Sequence, residues 1–186
     1  MDIELAIQAR RSVRNFTPRP IARQVLARLI DAAIQAPSAL NEQPWLFTVV
    51  QDRDLLAQVS TSAKAHALRE SAVEFPRSLR ERLAQPDFDL FYRAPALIVI
   101  ASQSPGRWAV ENCALAAENL MLRACADGLG TCWIGLAQSW LATPDGKRAL
   151  RLSPDCVPVA PIIVGEPATP PPPVPRNAPR IAWIGS

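Results

Sequence analysis

The chain has 186 residues, 49 % of them hydrophobic and 20 % charged, with a formal net charge of +3. That length suits a single domain, residues 1–186, and the apolar content excludes wholesale disorder. The 19 prolines are roughly twice the usual share, and without a Gly-X-Y period they do not make collagen.

Residues 2–10 read as a helix with Ile3, Ala6 and Ile7 on one face. Arg10-Arg11-Ser12-Val13-Arg14-Asn15-Phe16 leaves that helix, and Pro18 and Pro20 forbid its continuation. Pro20 can open a second helix, whose apolar stripe is Val25, Leu26, Leu29, Ile30 and Ala33. It ends before Ala36-Pro37, because a residue preceding proline avoids the helical region. Residues 37–44 form a loop and 46–51 a strand. Residues 54–74 and 77–85 read as helices, 86–89 as a turn, and 96–100 as a strand buried on both faces.

Residues 108–129 are the clearest helix. From Cys113 to Ala126 only Glu118, Asn119 and Arg123 are neither apolar nor cysteine, so most sides should be buried, and in a domain this small that burial should need a second subunit. Gly128 suits the left-handed position after the last turn. A short strand over 131–136, a helix over 143–152 and a strand over 157–164 follow. Pro158 and Pro161 mark that last strand as an edge or irregular one. Residues 167–179 hold seven prolines and should run as an extended polyproline arm. Ile181-Ala182-Trp183-Ile184 then suggests that the tail ends docked on a surface. Helices alternating with strands in this order indicate an α+β, three-layer sandwich.

The longest apolar run, residues 94–101, is far short of the ~20 residues a membrane helix needs. The start, Met1-Asp2-Ile3-Glu4, is acidic and lacks a long apolar core, so no signal peptide and a cytoplasmic location are expected. Cys113, Cys125, Cys132 and Cys156 have no CxxC spacing and His66 is the only histidine, so no structural zinc site is expected. Residues 1–28 carry six arginines against Asp2 and Glu4, a local charge of +4, while the rest of the chain sums to −1. One local patch suits a small anion better than nucleic acid, which needs a basic stripe.

Four segments could carry chemistry. Arg10, Arg11, Ser12 and Arg14 offer guanidinium forks and a hydroxyl to a phosphate, or simply form a solvated charged face. Pro37-Ser38-Ala39-Leu40-Asn41-Glu42-Gln43-Pro44-Trp45 is a stiffened loop whose Asn and Gln can read a heteroaromatic edge, or an ordinary polar turn. Gly128-Leu129-Gly130-Thr131-Cys132-Trp133-Ile134-Gly135 could admit a flat ring at Gly135, or be a helix cap followed by a buried strand. It is not a dinucleotide fingerprint, since Trp133 stands where GxGxxG needs glycine. Arg176 and Arg180 could join the N-terminal arginines, or only solubilise the tail.

Taken in order, these segments resemble the nitroreductase family of FMN-dependent oxidoreductases. Residues 10–16 look like its RRSxRxF motif, 36–45 like APSSxNxQPW, 128–135 like GLGTCWIG, and 161–167 like the strand ending in G-x-P. The resemblance implies a nitroreductase-like three-layer α-β-α sandwich: a mixed, mostly antiparallel sheet flanked by helices, in an intertwined homodimer with FMN at the interface. It implies that Arg10, Arg11, Ser12 and Arg14 hold the phosphate and ribityl chain. Pro37, Ser38, Ala39 and Asn41 would come from the partner subunit, with Gln43 supporting that loop. Trp133, Ile134 and Gly135 would lie against the isoalloxazine, and Arg176 would reach the phosphate from the arm.

The implied activity is ping-pong: NADH or NADPH reduces FMN and leaves, and a nitroaromatic, quinone or similar electron-poor acceptor replaces it. No catalytic side chain is obligatory and no metal is implied. Three positions depart from the family pattern. Ala39 replaces the second serine of the PSS motif, Gly135 stands where longer members place a glutamate, and the basic pair of the tail is reduced to Arg176-Asn177. Two other functions compete: a flavin-binding carrier or sensor without rapid turnover, and a small-anion or thiol-dependent enzyme using Cys132.

Overall fold

The computed structural model describes residues 2–70, 75–103 and 105–185. Eleven elements follow in chain order: α1 (Ile3–Ala9), α2 (Arg23–Ala33), β1 (Trp45–Val50), α3 (Arg53–Glu70), α4 (Arg77–Ala84), β2 (Ala96–Ser102), α5 (Ala109–Ala126), β3 (Gly130–Trp133), α6 (Gln138–Ala142), α7 (Pro144–Ala149) and β4 (Val157–Gly165). Single 3₁₀ turns lie at Ala39–Asn41 and Gly135–Ala137. The strands form one sheet of order β1-β2-β4-β3, and each neighbouring pair is antiparallel.

Strand β2 is buried along its whole length because both faces of the sheet are covered. Leu97, Val99 and Ala101 point into a core shared with α3, α6 and α7 (Val59, Ala63, Leu141, Leu150). Ala96, Ile98 and Ile100 point into a second core built by α2 and α5 (Leu26, Leu29, Cys113, Ala117, Leu120). This alternation makes the three-layer sandwich expected from the sequence. Eight residues of α5 are buried by this chain alone, more than expected for a helix thought to need a second subunit, yet Val110 and Leu115 stay exposed.

Several boundaries differ from expectation. Helix α2 starts at Arg23 rather than Pro20, because Ile21 is drawn into the core and its carbonyl accepts a hydrogen bond from the Gln51 side chain at 2.6 Å. Helix α5 ends at Ala126. Leu129 N–H reaches back to the Ala124 carbonyl and Gly128 N–H to Cys125, with Gly128 at φ 77°, which closes the last turn as a Schellman cap. The helix expected over 143–152 spans only Pro144–Ala149, capped by the Thr143 hydroxyl. Residues 71–74 of the helix expected over 54–74 lie outside the described residues.

Strand β4 is central, not an edge strand. The carbonyl of Pro161 accepts from Ile134 N–H and that of Pro158 from the Gln138 side chain, so both prolines face the side where β3 has already left the sheet. Their missing N–H groups therefore interrupt no ladder bond there, and the register shift of the opposing strand between Ile100 and Ala101 falls beside Pro158. Strand β3 ends at Trp133 rather than 136. Ile134 turns inward to the core, and the chain continues into a 3₁₀ turn and α6, a helix not foreseen from sequence.

After a bridge at Pro167 and bends at residues 168–169, residues 170–185 of the proline arm form neither helix nor strand. Its tip does not dock on this chain: Trp183 is 83 % exposed.

Residues 10–17 form an irregular strap across the ends of β3 and β4. Val13 N–H donates to the Thr131 carbonyl and Thr17 N–H to Glu166, both at 2.9 Å, while Ala168 N–H returns a bond to Asn15. The strap passes so close that a Cβ on Gly130 would sit 2.8 Å from the Val13 side chain. Gly130→Ala is predicted to lower stability by about 1–3 kcal/mol through overpacking. Urea denaturation checks this, and adding Val13→Ala should recover part of the loss.

Candidate functional site

The strap places its arginines beside α5 and the edge strand β3. Ser12 pairs with Thr131 in a parallel bridge on the edge that β4 leaves free. Arg10 is half-buried, and its Nε lies 3.1 Å from the Glu118 carboxylate of α5. Arg11 donates through Nη1 to the Arg10 carbonyl at 2.7 Å, while its Nε is buried without a hydrogen-bond partner. Both arginines line a cavity of about 540 Å³ whose other walls include Cys125, Leu129, Glu166 and Pro170. Ser12 and Arg14 are exposed on the strap, and the buried Cys132 thiol donates to the Trp133 carbonyl at 3.7 Å.

Glu166 is held away from the arginine pair. Its carboxylate accepts from the Thr17 hydroxyl at 3.1 Å and from Arg19 at 3.4 Å. The cavity carries two guanidinium groups beside that one carboxylate, and Arg11 has a buried N–H without a partner.

Trp133 ends β3 and Ile134 and Gly135 follow it, so Gly135 is four residues, at most about 14 Å of chain, from the residue that pairs with Ser12. Trp133 is half-buried and Ile134 buried, whereas Gly135 is exposed and a Cβ there would meet nothing within 4 Å. The surface is open to a flat group at that point.

The loop holding Pro37, Ser38, Ala39, Asn41 and Gln43 is built at the other end of α5. Leu40, Asn41 and Gln43 adopt left-handed backbone conformations, with φ of 51°, 55° and 50°. Gln43 N–H donates to Ser38 Oγ at 3.0 Å, and the Gln43 side chain donates to Asn41 Oδ1 at 3.1 Å. From Asn112, which touches this loop, to Glu118 is about 9 Å along the helix, and to Cys125 about 20 Å. Within one chain the loop and the arginine cluster stand apart. Arg176 is exposed and does not line the cavity, although Pro170, Pro171 and Pro173 of the same arm do.

Sequence reasoning missed Asn112 and Cys125 as site residues and noted Glu118 only as a polar interruption. A polar side chain on the buried face of an apolar helix was the available signal for Asn112. Burial pushes the Cys132 thiol up, and Arg14, Ser12 and Arg10 only partly oppose that. Cys125, despite Arg10 and Arg11 nearby, is raised as well. Both shifts disfavour the thiolate that a thiol-dependent enzyme would need.

The profile of the Nitroreductase family matches residues 7–165, which include the strap, the loop, α5 and the whole sheet. The chain belongs to the nitroreductase family. It is 28 % identical over 173 residues to a Methanothermobacter thermautotrophicus protein named "Putative NADH dehydrogenase/NAD(P)H nitroreductase", covering 90 % of this chain and 78 % of that one. It is 29 % identical over 161 residues to 4-nitrobenzoate reductase of Pseudomonas putida, covering 70 % and 71 %. Among solved structures, a nitroreductase with bound FMN from Bacteroides fragilis superposes with a TM-score of 0.86 over all of both chains, at 25 % identity.

Burial pushes the Cys113 thiol of this nitroreductase-family chain up to about 12. Above the ordinary thiol range the unfolded chain loses that proton while the folded chain keeps it, so the contribution to stability declines as pH rises from about 9 toward 12, by up to about 1.4 kcal/mol per pH unit. Denaturation curves at pH 8.5 and 10.5 should show a smaller drop for Cys113→Ala than for the wild type.

Proposed function

We propose that this chain is an FMN-dependent oxidoreductase. It uses NADH or NADPH to reduce electron-poor acceptors such as nitroaromatics or quinones, and works as a cytoplasmic homodimer. The observation that carries the proposal is the arginine-lined cavity, with the partnerless buried Nε of Arg11, one short stretch of chain from the open surface at Gly135. The donor set fits a phosphorylated flat cofactor: guanidinium groups for a dianion, a hydroxyl at Ser12, and an unobstructed backbone for a ring. The name of the Bacteroides fragilis structure and those of the curated relatives supply the cofactor and the reductant.

When bound, FMN supplies the hydride chemistry. The chain's own residues bind and orient it. Arg10 and Arg11 hold the phosphate, Glu118 keeping Arg10 aimed along α5, while Ser12 and Arg14 reach the ribityl end. Trp133 and Ile134 back the ring, and Gly135 leaves its backbone N–H free to face the ring edge where the family's longer members place a glutamate. No acid or base side chain is needed at the reacting atoms.

The separation of the two half-sites along α5 supports a homodimer. Ser38, Ala39 and Asn41, with Pro37 before them and Gln43 behind, would then meet the arginines of a second copy. The apolar groups left exposed on α1 (Ile3, Leu5, Ile7), on α5 (Val110, Leu115), at Leu40 and at Trp183 give that copy a surface to cover. Arg176 joins the phosphate once the arm is seated.

Purified protein mixed with FMN should turn yellow, sediment as a dimer, and bleach when NADH or NADPH is added without oxygen. Bound flavin that stays oxidised would instead indicate a carrier. Arg10→Ala should weaken FMN binding by roughly 1.5–3 kcal/mol, the range for a hydrogen bond to a charged group, as measured by flavin fluorescence titration. Equal affinity would contradict the phosphate assignment.

A further inference from the structure

We propose that Asn112 is a positioning residue for the cofactor loop, its side-chain carbonyl setting the shape in which residues 37–44 meet the ring. The inference rests on the reading of the site given above. Asn112 is a buried polar residue, 3 % exposed, on the inward face of α5. Its Oδ1 accepts from Ala39 N–H at 2.9 Å, and its backbone carbonyl accepts from the Trp45 indole N–H, also at 2.9 Å. One residue of the helix thus ties down the start of the loop and the residue that follows its end.

The loop needs such a tie. Three non-glycine residues within four positions hold left-handed backbone conformations, which persist only where the surroundings over-determine them. The bonds Gln43 N–H to Ser38 Oγ and Gln43 side chain to Asn41 Oδ1 are internal to the loop and could move with it. The bond to Asn112 joins the loop to the rigid body of the domain. It falls on Ala39, between Ser38 and the left-handed pair, where the loop turns toward its ligand. A side-chain oxygen acceptor is what the Ala39 N–H requires, and the backbone tie to Trp45 does not depend on which side chain stands at 112.

That independence allows a clean test. Asn112→Leu keeps the branched heavy-atom outline and removes the acceptor, while Asn112→Asp retains an acceptor in the same outline. FMN affinity is measured by fluorescence quenching, with Trp45 emission and the apoprotein melting temperature as controls. Asn112→Leu should raise the FMN dissociation constant about tenfold, as expected for a buried donor left unmade. Asn112→Asp should stay within about threefold of the wild type, and Trp45 emission should be unchanged in both. The inference is overturned if Asn112→Leu lowers the melting temperature but binds FMN as tightly as the wild type. It is equally overturned if Asn112→Asp binds as poorly as Asn112→Leu.

Should Asn112→Leu not fold, Ala39→Pro deletes the donor of the same bond. Ser38 is already extended and residue 39 opens the 3₁₀ turn, so proline is accommodated. A tenfold loss in Ala39→Pro that Asn112→Asp does not share supports the proposal, and unaltered binding in Ala39→Pro overturns it. A wild type that fails to bind FMN overturns the reading of the site and this inference together. A wild type that binds, with variants indistinguishable from it, overturns the inference alone.

Discussion

The structure depends on the backbone pairing of residues 12–17 with the ends of β3 and β4. Strand β3 is only four residues long and sits at the edge of the sheet, where an exposed ladder invites unwanted pairing. The strap covers that edge at Thr131 and then crosses to Glu166 and Pro167. Gly130 and Gly165 are glycines because the strap leaves no room for a side chain: at Gly165 a Cβ would lie 2.7 Å from the Phe16 ring. The same crossing fixes where the arginines stand. One stretch of seven or eight residues thereby both covers the sheet edge and carries the arginines that line the cavity.

Helix α5 is the second fixed element. It lies against the sheet along its length, and its polar side chains are spaced to hold different things: Asn112 the loop, Glu118 an arginine, Asn119 the Ala32 carbonyl of α2 at 3.3 Å. In a helix otherwise so apolar, each polar group answers a particular unsatisfied partner. The buried thiols on the same helix and on β3 are the opposite case. Burial alone acts on Cys113, and at Cys132 loss of water outweighs the nearby arginines, so both behave as small apolar side chains.

Much of this was legible in the sequence. The buried runs of β2 and α5, the stripe of α2 and the stop at Gly128 are written in local periodicity and in a glycine's conformational freedom. The arginine strap and the loop were legible as motifs. What was not legible depends on neighbours distant in the chain. Pro158 and Pro161 argue against a central strand until it is known that β3 ends beside them. Helix α6 is five residues long and has no side-chain cap, so nothing local announces it. The bond from Asn112 to Ala39 spans 73 positions, and its existence is decided by the packing of α5 against the loop, not by either segment alone.

The contact between Thr17 and Glu166 joins residues 149 positions apart. A ribosome delivers the chain from its first residue onward, so the arginine strap emerges early and waits for partners made near the end. Contacts of such long separation are slow to close, because the entropy of ordering the intervening chain must be overcome first. Until β4 is complete, residues 10–17 have neither the edge of β3 held in place nor Glu166 to bind. The strap therefore gains the last of its backbone partners only when β4 is in place.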